Sequence, residues 1–327
     1  MLDLRVTIGS LTLANPVLVA AGTFGYGVEF ARAIRLSALG GLVTKTLTRR
    51  PREGNPSPRL TETPAGMLNA VGLANIGLDT FLREKLPALE GSRVPVIVSL
   101  LGETAEELSD MVQQGDRAGG VAAIELNLSC PNVRHQLAGV DASPGRHVRL
   151  IAHDAEATAL AVQAARRSTR KPLIAKLSPD VTDLVPIAQA AERAGADALT
   201  IGNTFVGMRR DPSTGRSRLG TPTGGLSGPA IRPLMLYRVW YTAASVGVPI
   251  IGLGGIVRAE DALEFFYCGA AAVAVGTANF ADPRASVRVL RGLERHLARR
   301  GIRSLQELRG AANQSDGTLG SKAETRG

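Results

Sequence analysis

Eight short apolar segments recur along the chain, and an amphipathic segment follows each of them. The apolar segments are rich in Val, Ile, Leu or Ala and lack strict alternation, which is typical of strands buried on both faces of a parallel sheet. They are residues 16–20, 41–44, 94–100, 121–126, 172–175, 196–201, 248–252 and 272–275. Helical periodicity is seen in residues 29–38, 78–89, 104–118, 155–168, 183–194, 229–246, 259–267 and 284–300. This alternation predicts an α/β fold, a (β/α)8 TIM barrel, with a doubly wound open sheet as the alternative.

The two ends of the chain differ from this repeating pattern. Residues 2–15 alternate apolar and polar side chains around Gly9 and Ser10, which predicts an N-terminal β-hairpin at the barrel bottom. The Pro, Gly and Arg-rich residues 49–64 indicate a long loop and not a linker between domains. We therefore expect one domain over residues 1–309. Residues 310–327 are rich in Gly, Ser, Asn and Thr, which predicts a disordered tail.

The charge and cysteine content limit the partners and the compartment. The net charge is +9, but the basic residues are spread along the chain and only 4% of residues are aromatic, so nucleic-acid binding is not expected. Two cysteines, Cys130 and Cys268, are too few for a disulfide framework and fit a reducing compartment. No signal peptide and no apolar run of about 18 residues is present, so we expect a cytoplasmic protein that does not enter a membrane.

Polar residues follow the predicted strands at the end where barrel enzymes carry their active sites. They are Lys45 and Thr46, Ser99, Asn127, Lys176, and Asn203 with Thr204. Two of the only five lysines are in this set. A lysine at the barrel mouth would stabilise the negative charge of a reduced flavin, whereas the alternative is a solvated lysine at a strand end.

Glycines follow the seventh and eighth strands, where a barrel phosphate site usually forms. They are Gly254 and Gly255, and Gly276 before Thr277. The alternative is that they only make tight turns. A phosphorylated cofactor such as FMN fits these positions, while no GxGxxG motif supports a Rossmann dinucleotide site.

Cys130 lies in the sequence NLSCPN, where Pro131 ends the strand and leaves the thiol on a loop by the barrel rim. Such a thiol is a candidate nucleophile or base. The alternative is a buried, inert cysteine, an interpretation that suits Cys268. The spacing of cysteines and histidines matches no metal motif.

These residues stand within longer motifs that together resemble the dihydroorotate dehydrogenases. The motifs are NPVLVAAGTFGYG, TKTLT, GMLNAVGLANIG, ELNLSCPNV, AKLSPDVTD, NTFVGM, GGLSGPAIRP, GLGGI and AVGTANF. The resemblance covers residues 1–300 and is closest to class 1 and its NAD-linked 1B catalytic subunit. A cysteine at position 130 favours class 1, because class 2 enzymes carry serine there together with an N-terminal membrane segment.

The resemblance implies an FMN-holding barrel that oxidises (S)-dihydroorotate to orotate in de novo pyrimidine (UMP) biosynthesis. Cys130 would take the C5 proton while C6 passes hydride to flavin N5, and Lys45 would contact both flavin and substrate. The implied substrate-binding residues are Lys45, Asn69, Ala70, Val71, Gly72, Leu73, Asn127, Asn203 and Thr204. The implied cofactor-binding residues are Ala21, Lys45, Thr46, Ser99, Asn127, Lys176, Gly202, Gly228, Gly254, Gly255, Gly276 and Thr277.

The chain also departs from the family pattern. Ala21 stands where the family usually has Ser, Ser99 where Asn is usual, and Gly202 where a bulky apolar residue is usual. Residues 135–171 form a longer segment than is common. The departures motivate one alternative, a barrel that has lost catalysis. A dihydropyrimidine dehydrogenase-like reductase acting on uracil or thymine is the other.

The resemblance further implies a partner. In the 1B type, electrons leave through a separate subunit that carries FAD and a 2Fe–2S cluster, and the catalytic chains form a homodimer within a heterotetramer. Two cysteines are too few to hold the cluster in this chain. A 1A-like enzyme would instead use fumarate and need no partner.

Overall fold

Eight parallel strands close into a barrel in the computed structural model, which describes residues 2–129 and 151–312. The strands of the fold are β1 (Val6–Ile8), β2 (Leu11–Leu13), β3 (Val17–Val19), β4 (Gly41–Val43), β5 (Leu60–Thr63), β6 (Gly66–Asn69), β7 (Val96–Leu100), β8 (Val121–Asn127), β9 (Leu173–Leu177), β10 (Ala198–Ile201), β11 (Phe205–Gly207), β12 (Gly224–Ser227), β13 (Ile250–Leu253) and β14 (Ala272–Val275). The barrel order is β3-β4-β7-β8-β9-β10-β13-β14, and β14 pairs with β3. The predicted (β/α)8 barrel is confirmed, and each barrel strand lies within or overlaps one predicted apolar segment.

The helices run outside the barrel. They are α1 (Leu78–Thr80), α2 (Ala105–Arg117), α3 (Ala155–Arg167), α4 (Val185–Arg193), α5 (Arg232–Ala243), α6 (Ala259–Tyr267), α7 (Ala278–Ala281) and α8 (Ala285–Arg299). The helix predicted over residues 29–38 is wrong, since the chain forms two 3₁₀ turns there, Val28–Phe30 and Leu36–Ala38. Ile34 and Leu36 are both buried, and residues two apart cannot share one face of an α-helix.

The predicted N-terminal hairpin is present and closes the end of the barrel at which the strands begin. β1 pairs antiparallel with β2, with Val6 opposite Leu13 and Ile8 opposite Leu11. Ile8 and Leu13 are fully buried in one cluster with inward-facing strand residues. The hairpin thus replaces solvent at the barrel bottom with apolar side chains.

Inward-facing side chains fill the barrel above the hairpin. The first on each strand is apolar, and these are Leu18, Val43, Ile97, Ala123, Ile174, Ala198, Ile251 and Ala272. Residues two positions further along each strand lie on the same face. They are Ala20, Lys45, Ser99, Glu125, Lys176, Thr200, Leu253 and Ala274. These further positions are therefore polar from β4 to β10.

A second sheet that the sequence pattern does not predict lies beside the barrel. Its four antiparallel strands are ordered β11-β12-β6-β5. β5 lies inside residues 49–64, so the interpretation of that whole stretch as a loop is wrong for residues 60–63. The sheet forms through pairing of β6 with β12, which are far apart in sequence, and local patterns do not report such pairing.

A single domain over residues 1–309 stays a prediction. Residues 313–327 of the predicted tail lie outside the described residues, so that prediction stays open. Within residues 2–129 and 151–312, no helix has the length and apolar character needed to cross a membrane.

Candidate active site

A cleft opens at the ends of the barrel strands, between the barrel and the second sheet. Sixteen residues of the predicted site line it, namely Ala21, Lys45, Thr46, Asn69, Val71, Gly72, Leu73, Asn127, Lys176, Asn203, Thr204, Gly228, Gly254, Gly255, Gly276 and Thr277. The convergence of residues from the whole length of the chain is a consequence of barrel closure.

Three predicted residues lie outside the cleft wall. Ala70 packs against Leu68 and Leu219 under the second sheet. Ser99 is fully buried below the cleft floor. Gly202 lets two strand ends approach, since a Cβ there would lie 2.3 Å from the carbonyl oxygen of Leu253.

Cys130 and the segment up to residue 150 lie outside the described residues, so the structure does not place the predicted base. The other cysteine has a different character. Cys268 is half-buried, and burial raises the pKa of its thiol to about 11. At neutral pH it is therefore a protonated, weak nucleophile.

Several lining residues were not predicted. They are Ala20, Gly22, Thr23, Leu60, Ser227, Ile231, Leu253 and Phe280. Gly22 and Thr23 come shortly after the first barrel strand, and this position could have indicated that they line the cleft. Leu60 and Ser227 belong to the second sheet, and no local signal in the sequence places them at the cleft.

Lys45 and Lys176 give the cleft its positive charge. Both line it, and no Asp or Glu is found among the described lining residues. Lys176 is only 4% exposed, and within residues 2–129 and 151–312 no carboxylate lies within ion-pair distance of it. A buried cation without a carboxylate partner is costly, so an anionic ligand would be favoured at this position.

Asparagine side chains hold the polar part of the cleft together. Asn127 Nδ2 donates to Thr46 Oγ1 at 2.9 Å, and Asn127 Oδ1 accepts from Ser129 Oγ at 3.1 Å. Asn203 Nδ2 donates to both the carbonyl oxygen and Oγ of Ser129 at 2.8 Å. Asn69 Nδ2 donates to the carbonyl oxygen of Gly225 at 3.2 Å. Each amide keeps further donor or acceptor capacity for a ligand.

Gly228 after β12, with Gly254 and Gly255 after β13, forms a close-packed glycine corner of the cleft. Gly255 has a φ of +74°, and a Cβ there would lie 2.7 Å from Arg232 Cβ. Arg232 forms an ion pair with the nearly buried Asp261, which also accepts from the backbone N–H groups of Val257 and Arg258. The corner therefore exposes backbone while α5 and α6 hold it in place, an arrangement suited to phosphate.

The sequence interpretation also missed Glu125. This carboxylate is 1% exposed and lies in the barrel interior, below the cleft. Its Oε1 accepts from Ser99 Oγ at 3.0 Å, and its Oε2 accepts from Thr200 Oγ1 at 3.1 Å. A charged residue within the apolar run 121–126 was the signal that could have identified it.

Comparison of the sequence with known proteins identifies its family. The family model described as dihydroorotate dehydrogenase matches residues 3–297. A relative from Geotalea daltonii named "Dihydroorotate dehydrogenase B (NAD(+)), catalytic subunit" is 50% identical over 94% of this chain and 98% of its own length. A relative of the same name from Desulforudis audaxviator is 49% identical over 95% of this chain and 98% of its own length. Another from Trichlorobacter lovleyi is 48% identical over 94% of this chain and 98% of its own length. The chain belongs to the dihydroorotate dehydrogenase family.

Proposed function

We propose that this chain is the catalytic subunit of an NAD-linked, class 1B dihydroorotate dehydrogenase that uses FMN to oxidise (S)-dihydroorotate to orotate in de novo pyrimidine biosynthesis. One observation carries the proposal. The described wall of the cleft contains two lysines, three asparagines and a glycine corner, and no carboxylate. Those groups match a phosphorylated flavin and an anionic pyrimidine.

The glycine corner and the lysines fit FMN. Gly228, Gly254, Gly255, Gly276 and Thr277 would hold its phosphate and ribityl chain through backbone N–H groups. Lys176 would lie near the part of the ring that gains negative charge on reduction. When bound, the flavin would supply the acceptor for a hydride from the substrate.

The amide groups fit the pyrimidine. Its ring edge presents N–H donors beside C=O acceptors, and an asparagine side chain offers the complementary pair. Asn69, Asn127, Asn203 and Thr204 line one cleft together with Lys45, whose charge suits the substrate carboxylate.

Cys130 is proposed as the base that takes the C5 proton. Ser129, its neighbour in the sequence, is held by two hydrogen bonds from Asn203, which itself lines the cleft. A base within hydrogen-bond reach contributes about 10²–10⁴-fold to such a step. This role rests on the resemblance of the NLSCPN motif.

The partner is part of the proposal. Because the relatives are named as catalytic subunits, we infer that electrons leave this chain through a separate subunit carrying FAD and a 2Fe–2S cluster. We also infer that two copies of this chain pair within a heterotetramer. The relatives' names do not favour a reductase for uracil or thymine, or a barrel without catalysis.

Ligand binding by the purified full-length chain tests this proposal. Reconstitution should give one FMN per chain, and orotate should then change the visible absorbance of the bound flavin in a saturable titration. Uracil, which lacks the carboxylate, serves as the matched control and should bind at least about tenfold more weakly, because it leaves a cationic site without its partner. A chain that takes up no FMN, or that prefers uracil, would contradict the proposal.

A further inference from the structure

Glu125 is a buried carboxylate to which the proposed chemistry gives no role. It is 1% exposed, and its two oxygens accept from the hydroxyls of Ser99 and Thr200. Burial of a charge is costly even when it is hydrogen-bonded, and an apolar side chain of similar volume would often be no less stable. Packing alone therefore does not explain a carboxylate at this position.

A continuous series of hydrogen bonds joins Glu125 to the cleft. Ser99 Oγ lies 3.0 Å from Glu125 Oε1 and 3.0 Å from Thr46 Oγ1. Thr46 Oγ1 in turn accepts from Asn127 Nδ2 at 2.9 Å. Beyond Asn127, Ser129 Oγ lies 3.1 Å from Asn127 Oδ1 and 2.8 Å from Asn203 Nδ2. The series thus runs from the barrel interior to two asparagines of the cleft wall.

Glu125 fixes the direction of the bonds in this series as far as Asn127. Both of its oxygens accept from hydroxyls, so Ser99 gives its single hydroxyl hydrogen to Glu125. Ser99 can then only accept from Thr46, and Thr46 can only accept from Asn127. The amide of Asn127 is thereby held with Nδ2 towards Thr46 and Oδ1 towards Ser129.

The same direction continues to the second asparagine. Ser129 donates to Asn127, so its oxygen is left to accept from Asn203 Nδ2. Main-chain groups hold Asn203 in the same orientation, because its Nδ2 also donates to the carbonyl oxygen of Ser129 at 2.8 Å and its Oδ1 accepts from the backbone N–H of Thr204 at 2.8 Å. All five side-chain bonds therefore point towards Glu125.

We propose that Glu125 is a positioning residue that sets, through Ser99 and Thr46, which donor and acceptor groups Asn127 presents to the pyrimidine. The proposal rests on the proposed function, because it takes Asn127 as a contact of the substrate. An amide held in one orientation is complementary to one arrangement of N–H and C=O groups, whereas a freely turning amide must be ordered on binding.

Two matched variants isolate the effect. Ser99→Ala and Thr200→Val each remove one hydroxyl donor from the same carboxylate, but only Ser99 lies between Glu125 and the cleft. Glu125→Met removes the acceptor itself while keeping an unbranched side chain. Calorimetric titration of the FMN-loaded full chain with orotate, together with its FMN content and Tm, compares all three with wild type.

We expect Ser99→Ala and Glu125→Met to lose at least about tenfold in orotate affinity with unchanged FMN content. Thr200→Val should lower Tm about as much as Ser99→Ala yet keep orotate affinity within about twofold of wild type. Equal losses in Ser99→Ala and Thr200→Val would overturn the proposal, since a merely structural role predicts that result. If Glu125→Met does not fold, the orotate affinities of Ser99→Ala and Thr200→Val still test the proposal.

A neutron crystal structure of the deuterated chain tests the direction of the bonds without any ligand. The Ser99 deuterium should point to Glu125 and the Thr46 deuterium to Ser99, and the reverse order would overturn the proposal. If wild type binds FMN but not orotate, the proposed function is wrong, and the neutron result still decides the orientation of the amides.

Discussion

The side-chain amide of Asn127 donates a 2.9 Å hydrogen bond to the hydroxyl of Thr46, and so links the ends of two barrel strands that β7 separates. Asn127 is 5% exposed and Thr46 is 2% exposed, although both line the cleft. These two polar groups are therefore anchored in the barrel interior and not on surface loops. Such anchoring holds groups at fixed positions before a ligand arrives.

Replacement of the proposed base gives the first prediction. Cys130→Ala should retain FMN but lose about 10²–10⁴-fold in the rate of flavin reduction by dihydroorotate, measured by anaerobic stopped flow. Cys268→Ala is the control and should keep the wild-type rate, since burial raises the pKa of the Cys268 thiol to about 11. An unchanged rate in Cys130→Ala would refute its assignment as the base.

The buried lysine gives the second prediction. Lys176→Met removes a cation that is 4% exposed at the cleft, so the reduced, more negative flavin should be destabilised. We expect the two-electron reduction potential of bound FMN to fall by about 30 mV or more, equivalent to ~1.4 kcal/mol. In the control Lys85→Met, a half-exposed lysine that pairs with Glu29 is replaced, and the potential should stay at the wild-type value. If both variants have the same potential, Lys176 does not stabilise the reduced flavin, which would contradict this prediction.

The glycine corner gives the third prediction. Gly255 and Gly301 both have positive φ values, +74° and +67°, so alanine strains the backbone by about 1 kcal/mol at either position. Only at Gly255 would the added methyl group also meet Arg232 and the carbonyl oxygen of Gly228. Gly255→Ala should therefore lower FMN content at a fixed FMN concentration, while Gly301→Ala should not. Full FMN occupancy in Gly255→Ala would exclude this corner as the phosphate site.

The ion pair behind that corner gives the fourth prediction. Asp261 is 2% exposed. Its removal would take away one of the two ion pairs of the partly buried Arg232, whose pair with Glu264 remains, and would leave two backbone N–H groups without an acceptor. Asp261→Ala should lower the free energy of unfolding by about 3–5 kcal/mol in urea titrations. Asp3→Ala breaks the exposed Arg5 pair at 2.8 Å and should leave the free energy of unfolding close to that of wild type. Similar losses in the two variants would show that burial does not matter here.

Much of the barrel could be predicted because its information is local. A strand buried on both faces is an uninterrupted apolar run, and a helix that covers it carries a 3.6-residue period. α6 (Ala259–Tyr267) coincides with its predicted range, and the hairpin followed from the alternation around Gly9. Position after a strand was also enough to bring Lys45 and Lys176 to one cleft.

The remaining features depend on contacts between distant residues. Asn69 and Gly225 pair across the second sheet, 156 residues apart, and neither flanking sequence indicates its partner. The family resemblance implied a flavin contact at Ser99, yet its hydroxyl is turned inward to Glu125. An inward-facing side chain either lines the cleft or is buried below it, depending on how far along the barrel axis it lies. A single sequence does not specify that position.

Anaerobic addition of dihydroorotate to the FMN-loaded full chain is the most direct test of the central claim. We predict that the visible absorbance of the bound flavin bleaches with dihydroorotate, and that dihydrouracil, which lacks the carboxylate, leaves it unchanged over the same time. Persistence of the oxidised spectrum with dihydroorotate, or bleaching by dihydrouracil alone, would contradict the account.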